Sequence, residues 1–258
     1  MILGHSRKKL ILELVDINFA FTSEKQILKD LTLDFEEKNI YALMGSNGAG
    51  KTTLFNLVTG FFKFKSGKIF LKGKEISNLS PYRINRYGIG RTFQDLRLIA
   101  KLTVKENIVL AIQHNPTDSW LIALLPENFK TKSNNELDKR AKEIVNRFFM
   151  DDVIDSLAGE ISYGQQKLLS LACCVANGAS LFLLDEPVSG IQPEYRNKMI
   201  VLLKQLKEEG KTILMIEHNA DFIAEVADKI FFLHEGVINT FDTIDALRKD
   251  KQVMEAYI

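Results

Sequence analysis

Short apolar runs separated by polar turns organise the first ninety or so residues. Positions 12–21 alternate apolar and polar with the period of a strand, and Ile27, Leu28, Leu31, Leu33 and Phe35 mark a second one. Residues 22–25 between them read as a hairpin turn. Residues 40–44 are apolar throughout, as a strand covered on both faces would be, and 51–58 open a helix. Residues 67–71 predict another strand, Ser80-Pro81 starts a short helix, and 90–94 form a strand with a polar end. From 95 to 160 the character changes: helical patterns at 104–113 and 135–149 are joined by polar stretches at 115–118 and 130–134. Alternation then resumes, with helix 163–175, strand 181–184, helix 194–207 and strand 212–216. The 194–207 helix carries Tyr195, Met199, Leu202, Leu203 and Leu206 on one stripe, with Gly210 near its C-terminal cap. Residues 230–233 and 237–241 flank His234-Glu235-Gly236 as a hairpin, and a short helix closes the chain at Ile258.

This order predicts an α/β fold: a mainly parallel sheet wrapped by helices, an N-terminal antiparallel β part, and a helical subdomain inserted at about 95–160 of a single domain spanning 1–258. A chain of 258 residues, 46% hydrophobic and 26% charged, is of ordinary globular make-up. Its 34 basic and 33 acidic residues leave a net charge of +1, so no bulk electrostatic case exists for nucleic acid, and none is expected as a partner. Lysines 63, 65, 68, 72 and 74 read as solvated strand faces. Cys173 and Cys174 are adjacent, which suits small core residues in a reducing compartment, and the four histidines show no ligand spacing. Arg7-Lys8-Lys9 before 10–15 imitates a leader, but its apolar part is short, includes Glu13 and lacks a small-residue cleavage site. The uncharged run 168–184 is broken by Asn177-Gly178-Ala179-Ser180. A protein soluble by itself is expected.

Between the strand at 40–44 and the helix at 51–58 lies Gly45-Ser46-Asn47-Gly48-Ala49-Gly50-Lys51-Thr52-Thr53, the G-x-x-x-x-G-K-T phosphate loop of nucleoside triphosphatases. Its glycines let successive N–H groups point inward, and the following helix turns its positive end toward the same anion. Lys51 would reach the β and γ phosphates and Thr52 would ligate Mg²⁺. The strand at 181–184 ends on Asp185-Glu186, where a phosphate-loop protein keeps a Mg²⁺-associated acid; Glu186 is placed to activate the attacking water. His218 and Gln94 each sit at a strand end, which for either alone is more often structural than catalytic. Ser162, taken alone, would be a helix cap.

In context, Ile161-Ser162-Tyr163-Gly164-Gln165-Gln166 resembles the signature motif of ATP-binding cassette (ABC) proteins, usually written L-S-G-G-Q. The resemblance covers nearly the whole chain and keeps the family's order: an aromatic, the phosphate loop, Gln94, the signature, Asp185-Glu186, then His218. It implies an ATPase using ATP and Mg²⁺. Phe21 would stack on adenine, with Phe19 the lesser candidate. Gln94 would sense Mg²⁺ and the attacking water at the edge facing a membrane partner. Glu186 would be the base and His218 a γ-phosphate contact. Ser162, Gly164 and Gln165 would touch the γ-phosphate held by a second cassette in a head-to-tail dimer. The chain departs from the pattern at Ile161, at Tyr163 in place of glycine, and at Ser189-Gly190-Ile191-Gln192 where Ser-Ala-Leu-Asp is usual. The Tyr163 form, Gly190 before Ile191-Gln192-Pro193, Glu217-His218-Asn219 and the ending 253–258 look like the branched-chain amino acid uptake branch, with urea-type uptake ATPases close by. The resemblance therefore implies a cytoplasmic subunit on the inner face of the membrane, working through separate transmembrane permease subunits. Soluble ABC proteins of translation or DNA repair usually carry paired cassettes or long coiled coils, and this chain has neither. A phosphate-loop kinase would have no use for 161–166, and no Asn-Lys-x-Asp element supports a guanine-specific switch.

Overall fold

Apolar residues of both parities in the central strands require cover on two faces, and different parts of the chain supply it. In the computed structural model, which describes residues 9–21, 26–94, 96–112, 127–251 and 253–254, the elements run as follows. Strands β1 (Leu10–Ala20) and β2 (Gln26–Glu36) precede β3 (Ile40–Met44) and helix α1 (Lys51–Val58). Next come β4 (Ser66–Leu71), β5 (Lys74–Glu75), α2 (Pro81–Arg86) and β6 (Ile89–Arg91). Helices α3 (Val104–Ile112), α4 (Glu127–Arg147) and α5 (Tyr163–Ala176) follow, then β7 (Leu181–Asp185), α6 (Pro193–Glu208) and β8 (Thr212–Ile216). The described chain finishes with α7 (Ala220–Val226), β9 (Lys229–His234), β10 (Val237–Phe241) and α8 (Ile244–Lys249).

Two sheets result. One is antiparallel, in the order β2-β1-β4-β5; the other runs β10-β9-β3-β8-β7-β6 and is parallel except for β10 at its edge. Parity decides which side chain goes where. Ile40, Ala42, Met44, Phe182, Leu184, Ile213, Met215 and Phe232 point to the helices, joining Leu168, Leu169, Leu202, Leu203 and Leu206 in one core. Tyr41, Leu43, Leu181, Leu183, Leu214, Ile216 and Leu233 point the other way, into a second core shared with the antiparallel sheet and with Leu54, Phe55 and Val58 of α1. Helices α3 and α4 bury Val104, Ile108, Ala141, Val145 and Phe148 in the first core, alongside α5. Asn107, buried on α3, donates to the carbonyls of Ile99 (3.2 Å) and Thr103 (2.9 Å) and fixes the preceding loop.

The strand expected at 90–94 stops at Arg91, because that guanidinium is drawn into the interior while the chain beyond turns toward the phosphate loop. The joint expected at 130–134 is instead helical, within α4; lysine is a good helix former, and threonine, serine and asparagine cost only a few tenths of a kcal/mol each, so polarity alone does not break a helix. Helix α7 was not anticipated, although Asn219 caps it by accepting from the Phe222 N–H at 2.9 Å. The leader-like 10–15 is part of β1, and 168–184 divides into α5 and β7. Among the described residues no helix is long and apolar enough to cross a membrane. The turn at 22–25, the joint at 115–118, Gln113 and the ending 255–258 lie outside the described residues.

Gly45 follows β3 at φ 146°, and a Cβ added there would lie 2.3 Å from the Leu233 carbonyl oxygen on the adjacent β9. Backbone cannot yield as a side-chain tip can. Gly45→Ala should therefore destabilise the protein by about 2 kcal/mol or more, read as a lower urea midpoint.

Candidate active site

The turn from β3 into α1 builds the floor of a cleft of ≈ 470 Å³. Gly48 (φ 81°) and Gly50 (φ 108°) hold left-handed conformations that let the loop curl, and Gly50 caps α1. A Cβ on Gly50 would meet the Ile27 side chain at 2.7 Å, whereas one on Gly48 would meet nothing within 4 Å, so Gly48 is needed for its φ and not for space. Lys51 is only 7% exposed, and its Nζ donates to the carbonyls of Gly45 (2.7 Å) and Ser46 (2.9 Å). The Ala49 N–H closes the turn on the Ser46 carbonyl at 3.2 Å. Burial lowers the Lys51 pKa, while Glu186 and Asp185 pull it back up. Asn47, Gly48, Gly50, Lys51, Thr52 and Thr53 all line the cleft.

The opposite wall is acidic. Asp185 shares the parity of Leu181 and Leu183, so it faces α1 and not the helical core. Desolvation raises its pKa; Arg91 opposes this and neighbouring Glu186 adds to it. Arg91 lies 3.8 Å from the Asp185 Oδ2 and donates to Asn56 of α1 (2.7 Å) and to its C-cap Thr59 (3.0 Å), so one guanidinium bridges the acidic strand and the phosphate-loop helix. Desolvation lowers its pKa to about 10. Glu186 holds φ 49°, uncommon for a non-glycine residue. Its N–H donates to Ile216 at 2.9 Å and its carbonyl accepts from Lys167 Nζ at 2.6 Å. His218 Nε2 lies 3.9 Å from a Glu186 oxygen. Beneath it Glu217, 3% exposed, accepts from the N–H groups of His218 (2.8 Å), Asn219 (3.1 Å) and Val188 (3.3 Å).

At the rim, Phe21 is 62% exposed and lines the cleft, while Phe19 is buried edge-on against it at 4.9 Å. Gln94, Asp185, Glu186 and His218 line the same space. Ser162, Gly164 and Gln165 do not. They form a capping box at the start of α5, with the Ser162 side chain accepting from the Gln165 N–H and the Ser162 N–H donating to Gln165 Oε1 at 2.9 Å. Gly164 lies under Tyr195, whose ring a Cβ would approach to 2.5 Å. The fold thus gathers the phosphate loop, Asp185-Glu186 and His218 around one cleft and leaves, elsewhere on the surface, an exposed serine-capped helix end.

A family model described as "ABC transporter" matches residues 28–189. The chain belongs to this family. The high-affinity branched-chain amino acid transport ATP-binding protein BraF of Pseudomonas aeruginosa is 32% identical over 229 residues, 88% of this chain and 90% of its own. The corresponding Escherichia coli protein, LivG, is 32% identical over 234 residues, 90% of this chain and 91% of its own. A crystal structure of a nucleotide-free ATP-binding cassette from an ABC transporter superimposes with a TM-score of 0.82 at 29% identity, covering 96% of this chain and 99% of that one. The ADP conformation of an ABC transporter cassette gives 0.81 at 28% identity, over 96% and 98%.

Sequence reasoning gave no structural role to three charged residues beside the cleft: Arg91, Lys167 and Glu217. Each is a charge beside an apolar run, and an unexplained buried charge is the signal that could have found it. Glu217 ties the His218 turn to the turn after Glu186. Glu217→Ala would strand three N–H groups and should lower stability by about 3 kcal/mol, measured by urea unfolding.

Proposed function

We propose that this ABC ATPase hydrolyses ATP to ADP and phosphate at the cleft floored by 45–53, and that the hydrolysis drives solute uptake. The observation that carries the reading is the convergence of Lys51, Gln94, Asp185, Glu186 and His218 on one cleft with an exposed aromatic at its rim. Adenine stacks on Phe21, which buried Phe19 and half-buried Phe62 hold outward. The loop N–H groups and Lys51 take the β and γ phosphates. Glu186 accepts a proton as water attacks the γ-phosphorus, and His218 and Gln94 orient that end. Oxygen donors on Thr52, Asp185 and Gln94 face the same space, and hard oxygen ligands suit Mg²⁺, which would neutralise phosphate charge there.

Ser162, Gly164 and Gln165 complete the site of a second cassette, a copy of this chain or a related one. Ser162 is exposed and Gln165 half-buried at a helix end away from this chain's own cleft, which supports that reading, while Gly164, buried under Tyr195, lets the helix end pack closely. The partner in the membrane is a separate permease, engaged beside Gln94, where a groove of ≈ 360 Å³ is lined by Tyr82, Arg97, Ile99 and Leu110. The protein then works at the inner face of the membrane. The names of its relatives point to branched-chain amino acids as the solute.

Glu186→Gln should keep ATP binding, lower turnover about 100-fold or more, and accumulate an ATP-held dimer in size-exclusion chromatography; near-normal turnover would remove Glu186 as the base. Lys51→Ala should weaken ATP binding about tenfold or more in calorimetry, and unchanged affinity would contradict the placement of the triphosphate.

A further inference from the structure

Helix α5 begins at Ser162 and, five residues later, carries Lys167, whose ammonium is buried at 5% exposure. A buried lysine is costly unless its charge has partners. Its Nζ donates at 2.6 Å to the main-chain carbonyl of Glu186, and the Tyr163 ring covers it with its centroid 5.4 Å away. Glu186 is the residue of this turn with φ 49°, a conformation the surroundings must impose. Two bonds impose it from opposite sides: the Glu186 N–H reaches the Ile216 carbonyl on β8, and the Glu186 carbonyl takes the lysine from α5. The first belongs to the rigid sheet. The second belongs to the helix whose exposed start is proposed to meet the neighbouring nucleotide.

We propose that Lys167 is a positioning residue for hydrolysis, through which helix α5 sets the backbone of Glu186 and thereby the direction of its carboxylate. A rigid helix with Ser162 at one end and this bond one and a half turns along makes any shift of the serine-capped end a shift of the base in the same chain. The inference rests on the function proposed above.

The full chain and its variants test it. Lys167→Met should lower kcat about 10- to 100-fold while the KM for ATP stays within about twofold, since a misdirected base costs turnover without touching the phosphate grip. Lys167→Arg, which keeps a buried donor, should recover most of the loss. Combined with Glu186→Gln, Lys167→Met should still yield the ATP-held dimer, which an unfolded or non-binding variant would not. An unchanged kcat in Lys167→Met would overturn the inference. So would loss of ATP binding in both lysine variants, which would make the residue merely structural. An unmodified chain that hydrolyses no ATP would instead overturn the function itself.

Discussion

The register of three parallel strands decides where this chain can do chemistry. Leu43 of β3 pairs with Ile216 of β8, and Ile216 with Asp185 of β7, so the ends of the three strands lie in line across the sheet. The phosphate loop, Asp185-Glu186 and Glu217-His218 each follow one of those ends, and the crevice outside the carboxyl edge of an open parallel sheet collects them. A one-residue slip of β7 would turn Asp185 into the helical core and bring Leu184 to the α1 side. Both faces of the strand are buried in apolar cores, which holds the register: every alternative exchanges Phe182 and Leu184 with Leu181 and Leu183 in spaces shaped for the other pair.

Charges gathered at that edge hold one another in place. Lys51, Arg91 and Lys167 stand against Asp185, Glu186 and Glu217; Lys51, Lys167, Asp185 and Glu217 are buried, and so is the side chain, though not the whole residue, of Arg91. Arg91 fastens the acidic strand to α1, Lys167 fastens α5 to the turn after Asp185, and Glu217 fastens that turn to the His218 segment. The set is nearly closed as a network, which is how buried ions become tolerable. Burial leaves its mark: it lowers the pKa of Lys51 and raises that of Asp185, each opposed by the opposite charge beside it. For Asp185 a raised folded pKa means that its contribution to stability is greatest at pH below the unfolded carboxylate range and is lost as pH rises through the folded value. Its ionised form therefore costs stability, which the nearby Arg91 charge partly offsets.

What the sequence disclosed and what it withheld follow from range. Strands β3, β7 and β8 are continuous apolar runs and the phosphate loop is a contiguous pattern, so both can be read locally. The bond from Arg91 to Asn56 and the one from Lys167 to Glu186 join residues far apart in the chain, and no local rule names such partners. Helix α4 starts ahead of its readable pattern at 135–149 for a different reason: Phe129 is the one apolar residue in 127–135, and the buried contacts come further along, at Ala141 and Val145. Phe21 lies just past the end of β1 and is exposed, whereas Phe19, paired with Leu28 inside the strand, is buried.

The departures from the family pattern fit one another. Tyr163 stands where glycine is usual, and its ring lies 3.4 Å from where a Cβ on Gly190 would be; Gly190 stands where alanine is usual. The Tyr163 ring packs over Gly190, whose φ of 72° is one that glycine adopts freely. Gln192 in place of aspartate is the N-cap of α6 and makes no side-chain cap bond, so the first turn rests on Pro193, which has no N–H to satisfy and presets φ. The same ring that fills the space over Gly190 covers the Lys167 ammonium. The altered signature residue is therefore part of the packing around Glu186, and a glycine at 163 would leave that ammonium open to water.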